Sequence, residues 1–186
     1  MAPWMIMVIV GIALVIAAAV AWVVIGKKRS EGLRHRFGTE YDLAVKTTGS
    51  KARAEVDLAS RTKRIEGLEI HPLSTGDHDR FADRWRSTQA SFVDNPSGAV
   101  AEAEMLVEEV MRARGYPVGD FDQRAADISV DHPRFVENYR EARELALASQ
   151  RGVARTEDLR RATVHYRALF EDLLETTDRG TVEVSR

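Results

Sequence analysis

The residues best suited to acid–base or metal chemistry are five histidines, His35, His71, His78, His132 and His165. None of the five lies in HExxH or in a Glu-x-x-His pair of the kind that holds zinc or lines a di-iron bundle on helices. Asp77-His78-Asp79 is the densest cluster, but adjacent side chains on a helix diverge, so the spacing predicts a solvated first turn rather than a cation site. The chain has no cysteine. That excludes disulfides, thiolate zinc sites, cysteine-held iron–sulfur clusters and a thiol nucleophile.

Glu102, Glu104, Glu108 and Glu109 could supply paired carboxylates, yet they alternate with Val100, Leu106, Val107 and Val110 on one predicted helix, whose apolar face turns most acids outward. Asp131-His132 and His165-Tyr166 lack an adjacent nucleophile, and Asp131 is expected to cap a helix. No glycine-rich loop of the Walker or dinucleotide type follows a strand. The sequence therefore assigns no catalytic, cofactor-binding or metal-ligating residue, no cofactor and no small-molecule substrate.

The elements that would carry these residues divide sharply by polarity. The length of 186 residues suits about one ordinary domain. Its first 25 residues hold no charge, and residues 4–25 form an apolar run of about 22 residues. As a helix the run would extend roughly 33 Å against a hydrocarbon core of about 30 Å. It is expected to be a transmembrane helix with Trp4 and Trp22 near its ends. The rival is a signal peptide cleaved near Ala21, giving a secreted or extracytoplasmic protein. Against it stand the lack of Lys or Arg before the run and the run's length. Lys27, Lys28, Arg29, Arg34 and Arg36 follow directly, so the positive-inside bias places the N-terminus outside and the remainder in the cytoplasm, at the cell membrane.

Residues 27–64 carry a net charge of +6 and residues 65–186 a net of −8. A basic stretch beside an acidic module suits an anionic lipid face, and the five cations just named are the headgroup-contact candidates. Nucleic acid is disfavoured, because the basic stretch carries no recognition motif and only Phe37 and Tyr41 for stacking. Leu33, Phe37, Tyr41 and Val45 recur at intervals of four, followed by a weaker Ala52, Val56, Ala59 stripe, with breaks expected at Gly38 and Gly49 and a new helix after Ser50 running to about Leu68.

Beyond His71-Pro72 the pattern is that of a bundle of four long helices and one short one. Ser74 with Asp77 opens a helix that buries Phe81, Trp85, Thr88 and Phe92. Asn95-Pro96 opens the next, which Gly115 closes, with Ala99, Val100, Ala103, Leu106, Val107, Val110 and Met111 inward. Asp120 with Gln123 caps a short helix over residues 121–128. Asp131 is expected to cap one that buries Phe135, Val136, Tyr139, Ala142 and Ala146 and ends at Gly152. The last starts at Thr156 and buries Leu159, Ala162, Tyr166, Leu169, Phe170 and Leu173. No segment alternates as a strand would, so the fold class is all-α. The expected division is an anchor (1–26), a basic helical connector (27–68), a bundle (69–176) and a tail (177–186).

Gly115-Tyr116-Pro117-Val118-Gly119-Asp120-Phe121-Asp122-Gln123-Arg124-Ala125-Ala126-Asp127, then Val130-Asp131-His132-Pro133 and Val164-His165-Tyr166-Arg167-Ala168-Leu169-Phe170, resembles an uncharacterised family of small bacterial single-span membrane or secreted proteins with a helical soluble domain. The resemblance covers roughly the second half of the chain and implies a bacterial membrane setting with no activity, cofactor or site residue. The expected role is a membrane-anchored scaffold or adaptor that binds a protein or itself, with Tyr116, Phe121 and Arg124 as partner-binding candidates. The alternatives are a lipid-surface module acting through the basic connector, an exported helical protein, and a metal-dependent enzyme assembled from distant residues.

Overall fold

A computed structural model describes residues 3–175, excluding the side chains of 3–10, 13–15, 18–19 and 22–23. The described residues form eight α-helices and no strand. They fall into two compact units, Met1–Leu58 and Ala59–Arg186. The boundary between the two units lies inside a helix. The tail expected at 177–186 lies outside the described residues.

The first unit contains α1 (Pro3–Phe37), α2 (Thr39–Thr48) and the start of α3 (Lys51–Glu66). Gly38 (φ 53°) and Gly49 (φ 64°) make the two breaks, each in the left-handed region that a side chain disfavours. The expected transmembrane helix is corrected. Among the described residues no helix is long and apolar enough to cross a membrane. The apolar run is instead the N-terminal part of α1, a helix of 35 residues that continues through Lys27, Lys28, Arg29, Arg34 and Arg36. The change of polarity at Gly26 does not end the element, and the orientation drawn from charge bias loses the span on which it rested.

Phe37, Tyr41 and Ala44 are buried as an i, i+4 stripe should be, but α3 buries Ala54 and Leu58 and leaves Val56 exposed. The expected Ala52, Val56, Ala59 face was thus turned by about half a helix. Glu55 decides the orientation, because Ser30 Oγ and Tyr41 Oη (2.7 Å) both donate to its Oε1. Burial works against the Glu55 carboxylate, yet those two hydroxyls and the charge of Lys51 hold its pKa below the ordinary value.

The second unit holds the end of α3 and then α4 (Thr75–Ser91), α5 (Pro96–Ala113), α6 (Phe121–Asp131), α7 (Val136–Gln150) and α8 (Thr156–Glu175). The local signals act as expected. Ser74 accepts from Asp77 N, Asn95 from Gly98 N and Asp120 from Gln123 N, each satisfying an amide that the first helical turn leaves without a partner. α5 and α8 form the central pair, with α7 against both, α4 on α5 and α6 on α7. Every apolar position expected inward on α5 and α8 is buried, and Trp85 of α4 stacks on Phe170 of α8 at 4.6 Å between centroids. Phe92 departs from expectation, since it follows the end of α4 and is half-buried.

One cap is wrong. α6 runs three residues further than expected and ends with Asp131, so His132 is its C-cap and α7 starts from Phe135 without a side-chain cap. Asp131 is freed for a tertiary role.

Candidate functional site

Two gatherings of polar side chains inside the second unit involve the candidate residues. The first lies where the α5–α6 connection meets α6 and α8. Tyr116 Oη donates to Asp131 Oδ2 at 2.9 Å and stands 3.4 Å from His132 Nε2, while His132 Nδ1 pairs with Asp172 on α8. Arg114 donates from Nη1 to the Leu173 carbonyl at 2.9 Å, with its guanidinium 6.0 Å from the centre of the Tyr116 ring. The backbone fixes this loop as well, because Tyr116 N donates to Met111 O and His71 N to Arg114 O.

A tyrosine, an imidazole and a carboxylate in series have the composition of a proton relay. Burial first, then the Asp131 charge and hydrogen bond, pushes the Tyr116 phenol well above its ordinary range, so near neutral pH it is a donor and not a base. Tyr116 is 3% exposed and His132 5% exposed, so neither is presented to a substrate from solvent. The arrangement braces the loop against α8. Sequence reasoning paired His132 only with its neighbour Asp131, and it missed Tyr116, Arg114 and Asp172 as partners at this place because they meet only through folding.

The second place joins α5, α6 and α7. Arg124 donates from Nη1 to Gly119 O at 2.7 Å and from Nε to Tyr139 Oη at 3.3 Å, with Glu108 3.5 Å away. Arg143 pairs with Glu104, while Glu102 and Glu109 both hold Arg84. The acidic run on α5 is therefore a set of interhelical ion pairs, with Glu104 and Glu108 reaching inward more than its helical phase indicated. Asp77 accepts from the hydroxyl of the N-cap Ser74 at 2.8 Å and pairs with Arg80, and His78 pairs with Asp79 on the exposed first turn. Among the described residues no three His, Asp or Glu side chains form a metal-sized group. His165 meets Glu141 at 3.2 Å.

Of the three partner-binding candidates, Tyr116 and Arg124 are buried and Phe121 is half-buried against Tyr139, at 4.8 Å between centroids. All three fasten the α5–α6 connection to the bundle. A surface depression of about 170 Å³ lies between α4 and α8, lined by Gln89, Phe92, Arg160, Thr163 and Val164. In the first unit, Ile12, Ile16, Val20 and Val24 are exposed at intervals of four along α1, and Lys28 takes the next place in the same row.

Fold and site together define a helical bundle module in which several half-buried and buried charges, Arg64–Asp127, Arg84–Glu102/Glu109 and Arg143–Glu104 among them, are paired between elements. No known protein family, curated protein or solved structure matches the chain.

Proposed function

We propose that the chain is a helical adaptor whose first unit engages an anionic lipid surface and whose second unit binds a protein. The observation that carries this reading is the continuity of α1. Its exposed aliphatic row passes without a break into Lys27, Lys28 and Arg29, all exposed, with Arg34 and Arg36 further on. A helix with apolar and cationic parts in register suits the boundary between acyl chains and phosphate headgroups. Each nearby Lys or Arg adds about 1 kcal/mol of attraction to an anionic leaflet. Arg34 is held by Asp42 at 3.1 Å, so the three residues nearest the apolar row are the principal contacts. Nucleic acid would use the cations but leave Ile12, Ile16, Val20 and Val24 uncovered, and for that reason lipid fits better.

Synthesising the full chain in a cell-free system with vesicles tests this. It should float with phosphatidylcholine vesicles containing phosphatidylserine far more than with phosphatidylcholine alone. Replacing Lys27, Lys28 and Arg29 by Glu should abolish the difference. Equal flotation with both vesicle types, or displacement from the anionic ones by RNA, would overturn the lipid reading.

A further inference from the structure

We infer that the protein partner of the second unit is a second copy of this chain, docked antiparallel along the N-terminal half of α8. The inference names the partner within the adaptor reading, but it rests on a separate surface. Glu157, Arg160 and Val164 follow at intervals of three and four on one face of α8, and the exposed Val153 stands three residues before the helix, in the turn that leads into it. All four are outward, with Val153 69% and Val164 52% exposed and the Glu157 and Arg160 side chains about equally open. Read in either direction the row has complementary ends and centre, aliphatic, charged, oppositely charged, aliphatic. A two-fold axis between Glu157 and Arg160 therefore sets Val153 opposite the second copy's Val164, and Glu157 opposite its Arg160, twice over. Self-complementarity of this kind is what an isologous dimer interface requires.

Two further observations fit the same occupant. Val153 is held rigidly, because Gly152 (φ 71°) donates to Ser149 O and Val153 N donates to Ala148 O, the double closure of a Schellman turn. The valine that normally covers such a turn points to solvent instead. Val164 borders the depression between α4 and α8, whose other walls are Gln89, Phe92, Arg160 and Thr163. In the antiparallel register the second copy's Val153 enters that depression. Within one copy Glu157 and Arg160 already pair through two hydrogen bonds, at 2.6 and 2.8 Å, on the exposed surface, so the two-fold arrangement exchanges two pairs within copies for two between them.

The chain has no cysteine, so introduced thiols report the register directly. The full-length double variant Val153→Cys with Val164→Cys should oxidise to a disulfide-linked dimer. Adding Glu157→Arg, or adding Arg160→Glu, sets like charges opposite each other twice and should cut the yield about tenfold. Mixing these two charge variants restores opposite charges across the axis and should restore the linked dimer. That result separates this interface from association through α1, which is indifferent to residues 157 and 160. Dimer yields unchanged by the charge variants, or no recovery on mixing, would overturn the proposal whether or not the chain binds vesicles.

Discussion

Asp127 on α6 shows how unequal the two ends of one ion pair can be. Its side chain is fully buried, and its Oδ1 accepts from Arg64 Nε at 2.8 Å and from Gln123 Nε2 at 2.9 Å, whereas the Arg64 side chain is 38% exposed. Oδ2 is buried with no hydrogen-bond partner. If Asp127 is removed, Arg64 can turn to water. If Arg64 is removed, a carboxylate is stranded in the interior. Arg64→Ala should therefore destabilise the bundle by about 3 kcal/mol and Asp127→Ala by about 2, the reverse of what the more buried residue would suggest. Urea unfolding midpoints measure both, and equal losses would show that the carboxylate rehydrates as readily as the guanidinium. At the loop brace the cost is smaller. Tyr116→Phe keeps the ring and loses the bond to Asp131, which is exposed enough to take water instead. A loss of about 1 kcal/mol is expected in the same measurement.

Among the elements, the α5 C-terminus is the most constrained. Gly115 has φ 94°, and a Cβ there would run into the Glu69 carbonyl oxygen in the α3–α4 connection. Gly115→Ala combines left-handed strain with a backbone clash and should cost about 3 kcal/mol, visible as a lowered melting temperature. At Gly152 no atom lies close to an added Cβ, so Gly152→Ala bears only the strain and should cost about 1 kcal/mol. The contrast shows what sequence can and cannot reveal. Ser74, Asn95, Asp120 and both glycines were legible because caps and turns are decided within four residues. Asp131 carried the same local signal and was misread, since its partner Tyr116 lies fifteen positions away. α3 was misread because the Ser30 and Tyr41 hydroxyls that orient Glu55 sit on other helices. The candidate site was legible even less. Burial of Tyr116 and Arg124 follows from how α6 seats on α7, and the row on α8 gains its meaning only once Val153 and Val164 are known to face outward.

At the scale of the whole second unit, the cation composition makes an alkaline experiment decisive. Residues 59–186 contain many arginines and only one lysine, Lys63. Arginine stays charged beyond pH 12, so the ion pairs of Arg84, Arg124 and Arg143 persist where lysine pairs would fail. The groups that do titrate there are Tyr116, Tyr139 and Tyr166. Burial is the largest cause in each, and all three phenols are raised above their ordinary value. In the unfolded chain they ionise near pH 10. Above that point the folded state retains protons that the unfolded state has released, so the stability these phenols contribute is complete below about pH 10 and lost as pH rises past it. The melting temperature should therefore hold steady up to about pH 10 and then fall. Tyrosinate absorbance from the three should emerge together with the loss of helical circular dichroism. Tyr116→Phe removes one of them and should soften the decline. A gradual tyrosinate titration with the helix signal intact would mean that water already reaches these phenols in the folded bundle.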